Sequence, residues 1–297
     1  MCFFCKLKKQ QKSKVKLVDE KIMSKESDKD SFRHKIIAEK MLQKVDFEKN
    51  REKYWKNLLE DNFNEIKHDN IQNNSDNKNI YNEKETDKTN EFHQISVDVA
   101  RTIKDEGKKE NLEKLLIKFA KEHKNIGYCQ GMSDIGAFIL TIFDKNTAYI
   151  LFKNAIYFRN RKTSIFDKKL SLMPEISRNQ KQTLFEIDRK LFEKVYFVEK
   201  DKNIMCDVDF VIFKWFLTYF TRFSSLRLKV WDYFLFYGFD VFYFFTAAIL
   251  KYFEEDLKTF TSHKNYDDFM LFLGNLENVY IEPYTVVTIV EEYMNKY

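Results

Sequence analysis

Proline and glycine are scarce in this chain: 297 residues hold only two prolines, Pro174 and Pro283, and six glycines. A sandwich or barrel needs such residues at its many tight turns, so their scarcity argues against both. An all-α fold is the better fit. Core material is ample, with 44% hydrophobic residues, 30 of the residues being Phe and 16 Tyr. A chain of this length suits one large or two abutting domains.

The net charge of +5 is unevenly spread. Lys6, Lys8, Lys9, Lys12, Lys14 and Lys16 all precede the first acid, Asp19, whereas the remainder alternates Lys with Glu and Asp as solvated helix faces do. No groove-reading motif accompanies the basic excess, so nucleic acid is not expected as a partner. Cys2, Cys5, Cys129 and Cys206 make neither a disulfide framework nor a zinc pattern, because Cys2-Phe-Phe-Cys5 lacks a second pair. No metal site is expected. The short apolar start followed by lysines is the reverse of a secretory signal, and the chain reads as cytosolic. The apolar run Tyr233 to Leu250 is interrupted by Gly238 and Asp240, which suits two buried helices better than a membrane span of about 20 residues.

Residues 1–44 are charged and short of large apolar residues after Phe4, and are expected to form a basic, flexible extension. The domain proper is expected over 45–297. Phe47, Arg51, Tyr54, Trp55 and Leu58 recur at helical spacing, and an Asn-rich solvated loop is expected over about 62–91. Leu112, Leu115, Leu116 and Phe119 mark a helix stopping before Gly127, and another starts near Ser133 with Asp134 at the positive end of its dipole. Further helices are expected at 147–158, 180–196, 209–221, 225–236, 239–256, 266–272 and 284–297.

Two short stretches about thirty residues apart carry chemistry: Ile95-Ser-Val-Asp98-Val-Ala-Arg101-Thr102 and Ile126-Gly127-Tyr128-Cys129-Gln130-Gly131-Met132. A guanidinium neutralises charge that develops on a transferring phosphoryl group, and a carboxamide orients the attacking water without acting as a charged base. Together they suggest a protein that activates a GTPase.

With these blocks on the page the chain resembles the TBC domain family, the GTPase-activating proteins of Rab-type small GTPases. Asn50-Arg51-Glu-Lys-Tyr-Trp55-Lys-Asn-Leu58-Leu59 is similar to the family's opening helix, and Ile95 to Thr102 to its arginine-finger block. Ile126 to Met132 matches the glutamine block almost letter for letter. Trp215 to Phe220, with Leu226 to Asp232 and Gly238, is similar to the block that ends in Trp-Asp and a downstream glycine. The resemblance implies a V-shaped, two-lobed helical domain whose Arg101 and Gln130 enter the nucleotide pocket of a GTP-bound Rab. It also implies that GTP and Mg²⁺ belong to that partner and that the domain needs no cofactor of its own. Ser96 and Ile103 stand where the family often has prolines, Ser133 where Asn is common, and the Asn-rich stretch where helices are usual.

Each role has a plainer alternative. Arg101 could be a surface arginine paired with Asp98, and Gln130 a capping residue in a turn whose Tyr128 and Met132 are core. In the catalytic reading Asp98 orients the arginine, Thr102 positions its loop, Tyr128 supports the glutamine turn, and Gly131 lets backbone approach a ligand. Arg51, Trp55, Trp231 and Asp232 read as structural, with the arginine and aspartate pairing between helices. Cys129 as a nucleophile would need His123 as its base, in a Lys-rich helix end, and is disfavoured. A domain that docks a Rab as scaffold or effector without turnover is the alternative function. Cys2 and Cys5 beside the lysine run read either as a lipidation site for an anionic endomembrane surface or as an unmodified basic tail.

Overall fold

In the computed structural model both prolines stand where a helix tolerates them, in the first turns of Met173–Ile187 and Pro283–Lys296. There the missing N–H has no intrahelical partner to lose. The structure describes residues 48–59, 85–157, 165–166, 171–196, 202–260 and 266–297, and within them every regular element is helical. Cys2, Cys5, the lysine run and most of the Asn-rich stretch lie outside these residues.

The elements are α1 (51–59), α2 (Glu85–Thr102), α3 (Glu106–Glu122), α4 (Met132–Leu140), α5 (Lys145–Ile156), α6 (Met173–Ile187) and α7 (Arg189–Tyr196). There follow α8 (Lys202–Leu217), α9 (Arg227–Tyr237), α10 (Val241–Tyr252), α11 (Glu254–Leu257), α12 (Tyr266–Asn275), a 3₁₀ turn (Leu276–Asn278) and α13 (Pro283–Lys296). Two helix starts are capped by aspartates: the Asp105 carboxylate accepts from the Lys108 N–H, and Asp144 from the Asn146 and Thr147 N–H groups.

Several boundaries differ from the expectation. Residues 85–91 are helical, not loop, because Ile95 and Val99 bury one face of the helix and the polar turns before them continue it. The single helix expected over 180–196 is two, broken at Asp188, whose carboxylate accepts from the Leu191 N–H at 3.0 Å and so opens α7. The one expected over 239–256 also divides, at Phe253. Helix α8 ends at Leu217, short of Thr221, because Tyr219 and Phe220 adopt left-handed backbone with φ 49° and 58°. Burial of both rings offsets that strain, which is of order 1–3 kcal/mol per residue.

Helices α2 to α5 pack on one another, while α6, α9, α11 and α13 pack on α10, with α7 against α6 and α12 against α8. From Val241 to Leu250 every residue of α10 is buried, as in a helix surrounded by neighbours on all sides. Phe234, Phe239, Phe242, Phe244 and Phe245 are core, and Phe236 is half-buried. Trp231 of α9 ties the two groups together. Its ring lies 5.6 Å from Trp55 of α1 and 5.2 Å from Phe138 of α4, and its Nε1–H donates to the Tyr219 carbonyl at 3.0 Å. Beside it Asp232 accepts from Arg51 Nε at 2.9 Å, Arg51 Nη2 at 3.0 Å and Trp55 Nε1 at 2.8 Å. The four residues read as structural therefore form one buried junction. Among the described residues no helix is long and apolar enough to cross a membrane.

Candidate functional site

Arg101 lies in the last turn of α2, not on a loop. The helix persists because Ile95 and Val99 are buried on its inner face and the Ile103 N–H still bonds the Val99 carbonyl at 3.1 Å. On that helix Asp98, 3% exposed, precedes Arg101 by three residues and accepts from its Nη2. The arginine side chain is 60% exposed, so a buried carboxylate steadies one end while most of the guanidinium stays presented. Tyr128 donates its hydroxyl to the other carboxylate oxygen at 2.7 Å. Burial pushes the Tyr128 phenol up to about 12, which keeps it a proton donor. The Thr102 hydroxyl donates to the Asp98 carbonyl at 2.8 Å and lies 3.2 Å from the Ser133 hydroxyl, tying α2 to α4.

Gln130 sits on the turn between α3 and α4, exposed, one residue before the left-handed cap Gly131 with φ 101°. A Cβ at Gly131 would fall 2.5 Å from the Leu217 carbonyl oxygen. The close approach that requires glycine in this structure is to the end of α8. At the other end of the turn the Tyr128 N–H donates to Glu91 Oε1 at 2.6 Å. Cys129 is half-buried, and His123 points instead at Tyr157, its Nδ1 2.9 Å from that hydroxyl.

Asp98, Arg101, Thr102, Gln130 and Ser133 line one open cavity of about 830 Å³. Its opposite wall comes from the second group of helices: Lys214, Arg222, Arg227, Gly274, Glu277 and Asn278. Tyr128 and Gly131 stand behind the cavity, while Arg51, Trp55, Trp231 and Asp232 form the junction described above. Cations outnumber acids along the lining, which also includes Lys104, Asp105, Lys108 and Asp134. The acids are occupied: Asp98 by Arg101, Asp134 by a fork from Arg222, Glu277 by Lys214, and Asp105 by the start of α3. The cavity accordingly favours anions. Asp134 stands in the first turn of α4, as expected of a residue serving the helix dipole, and is held there by Arg222. Sequence reasoning missed Arg222 and Glu277, whose partners lie far away along the chain. Among the described residues no group of three or more His, Cys, Asp or Glu is placed to hold a metal.

A family model described as the Rab-GTPase-TBC domain matches residues 48–258. The chain is 27% identical over 157 residues to TBC1 domain family member 2A of Bos taurus, a match covering 50% of this chain and 16% of that relative. To TBC1 domain family member 2B of Mus musculus it is 25% identical over 180 residues, or 55% of this chain and 17% of the relative. The match thus spans less than a fifth of these curated relatives. Among solved structures the Chlamydomonas flagellar RabGAP TBC domain superposes with a TM-score of 0.58, at 11% identity, over 98% of this chain and 93% of that chain, a likeness of fold. Since the family model spans most of its length, the chain belongs to the Rab-GTPase-TBC domain family.

Proposed function

We propose that this chain is a GTPase-activating domain for a Rab-type small GTPase, presenting Arg101 and Gln130 in trans to the partner's nucleotide. What carries the reading is that these two side chains, from different elements, line one cation-rich cavity open to solvent. GTP hydrolysis spreads negative charge over the transferring phosphoryl group and the leaving bridge oxygen, and Arg101 would stabilise both. The Gln130 carboxamide would accept a hydrogen bond from the attacking water and donate one to a phosphoryl oxygen. Asp98 would aim the guanidinium, with Tyr128 steadying Asp98 from behind. Nucleotide and Mg²⁺ come with the partner, and the domain supplies no cofactor. Single-turnover hydrolysis by a panel of GTP-loaded Rab-type GTPases tests this. Acceleration of one or a few members, abolished by Arg101→Ala and by Gln130→Ala, is expected. No acceleration across the panel, with GTP-dependent binding retained, would make the chain a docking scaffold.

The N-terminal Cys2 and Cys5 with their lysine run support a second, independent proposal, that dual thioacylation holds the domain on an anionic endomembrane surface. A hydroxylamine-sensitive mass increase on the N-terminal peptide from native material is expected. An unmodified peptide would remove the idea.

A further inference from the structure

The turn that bears Gln130 is braced by residues distant along the chain, the last of which lies beyond the matched family region. Its glycine abuts the Leu217 carbonyl, and four residues after Gln130 the Asp134 carboxylate takes a two-pronged fork from Arg222, Nε to Oδ1 at 3.0 Å and Nη2 to Oδ2 at 3.1 Å. The third guanidinium nitrogen of Arg222 faces Glu277 Oε2 at 3.8 Å, and Lys214 Nζ reaches the same oxygen at 2.9 Å. Glu277 is only 5% exposed, its Oε1 has no hydrogen-bond partner, and it sits in the 3₁₀ turn after α12, beyond residue 258 where the family match ends. A buried carboxylate with one unsatisfied oxygen is costly, and here two cations, Lys214 and Arg222, stand beside it to offset that cost.

We propose that Glu277, acting through Arg222 and Asp134, is a positioning residue for Gln130. Burial of Glu277 between Lys214 and Arg222 keeps the two cations from repelling one another and holds the Arg222 plane in line with Asp134. With Glu277 neutral, Lys214 and Arg222 face each other unscreened, the fork on Asp134 loosens, and the first turn of α4 is freed to shift Gln130. Displacements of an ångström at a water-orienting group cost up to about a hundred-fold in rate. The last helices of the chain thereby set the geometry of a side chain nearly 150 residues earlier.

The role of Gln130 rests on the function proposed above, so the test reads the brace in two ways. In the full chain, Glu277→Gln and Arg222→Lys are compared with wild type by single-turnover GTP hydrolysis on the responsive GTPase. Hydrogen exchange over residues 129–136 of the free protein is measured in parallel. A saturated rate reduced about ten- to a hundred-fold is expected, with the half-saturating concentration held within about two-fold. Exchange over 129–136 should quicken, and neither change should lower the residual rate further in a Gln130→Ala background. Should Glu277→Gln fail to fold, Arg222→Lys, which keeps the charge but loses the fork, carries the same readings. An unaltered saturated rate, or an equal loss in the Gln130→Ala background, would overturn the proposal. Should the wild-type protein accelerate no GTPase, the functional reading fails on its own account and exchange decides the brace: faster exchange in the variants supports it, unchanged exchange overturns it.

Discussion

Arg101 follows Asp98 by three residues on one face of α2, and its guanidinium closes on a carboxylate that is almost wholly buried. An ion pair between exposed partners contributes little, but this one has an anchored member whose second oxygen is taken by Tyr128. The arrangement restricts the arginine without consuming it. Asp98→Asn should therefore lower stimulated GTP hydrolysis by about ten-fold or more at saturation, while GTP-dependent binding persists. Arg101→Lys should lose on the order of 10³-fold or more, because an ammonium lacks the planar fork. Rates at saturating and limiting domain concentration separate the two effects.

Gly131→Ala should fail at the level of folding. The added methyl would meet the Leu217 carbonyl oxygen at 2.5 Å on a backbone at φ 101°, where a side chain is strained in any case. A loss of about 1–3 kcal/mol or more is expected in chemical denaturation. Gln130→Ala, one residue away and exposed, should leave stability within about 0.5 kcal/mol of wild type.

Removing the Asp232 carboxylate strips Arg51 and Trp55 of their shared acceptor inside the junction of α1, α4 and α9. Asp232→Ala should cost about 3–5 kcal/mol, the range for breaking one side of a buried ion pair. Arg51→Ala and Asp232→Ala should be strongly non-additive, which a double-mutant cycle measures directly.

His123 provides a test with pH. Burial, aided by the nearby Lys153 charge, holds its imidazole below the ordinary value, so the fold keeps it neutral while the unfolded chain takes up a proton first. The stability this contributes is complete above the ordinary histidine value of about 6.5 and is lost as pH falls through the lower folded value. Thermal stability should decline on acidification in that window. His123→Gln should flatten the decline, and an unchanged slope in the variant would show that other groups govern it.

How much of this was legible depended on distance along the chain. The pairing of Asp98 with Arg101 is a three-residue helix contact, and Gln130 stands in a contiguous block, so both could be read from letters alone. The Arg51 and Asp232 pairing was legible only because each belongs to a recognisable block. Arg222 and Asp134 are 88 residues apart with nothing local to relate them, and Glu277 lies outside every block, so only the fold brings them together. Helix edges failed for a different reason. Asp188 and Phe253 interrupt apolar patterns without a proline or glycine, and the start of α2 is polar, so periodicity carried no sign of either.

The junction of Trp55 with Asp232 also bears on how the protein is made. Its two members are 177 residues apart, so α1 leaves the ribosome long before α9 exists to receive it. At roughly 5–20 residues per second the interval is on the order of ten to thirty seconds. During it Trp55 has Phe138 of α4 to pack on but lacks the Trp231 ring and the Asp232 carboxylate. The nascent chain thus carries an incompletely packed tryptophan until α9 emerges, and only then can the junction close.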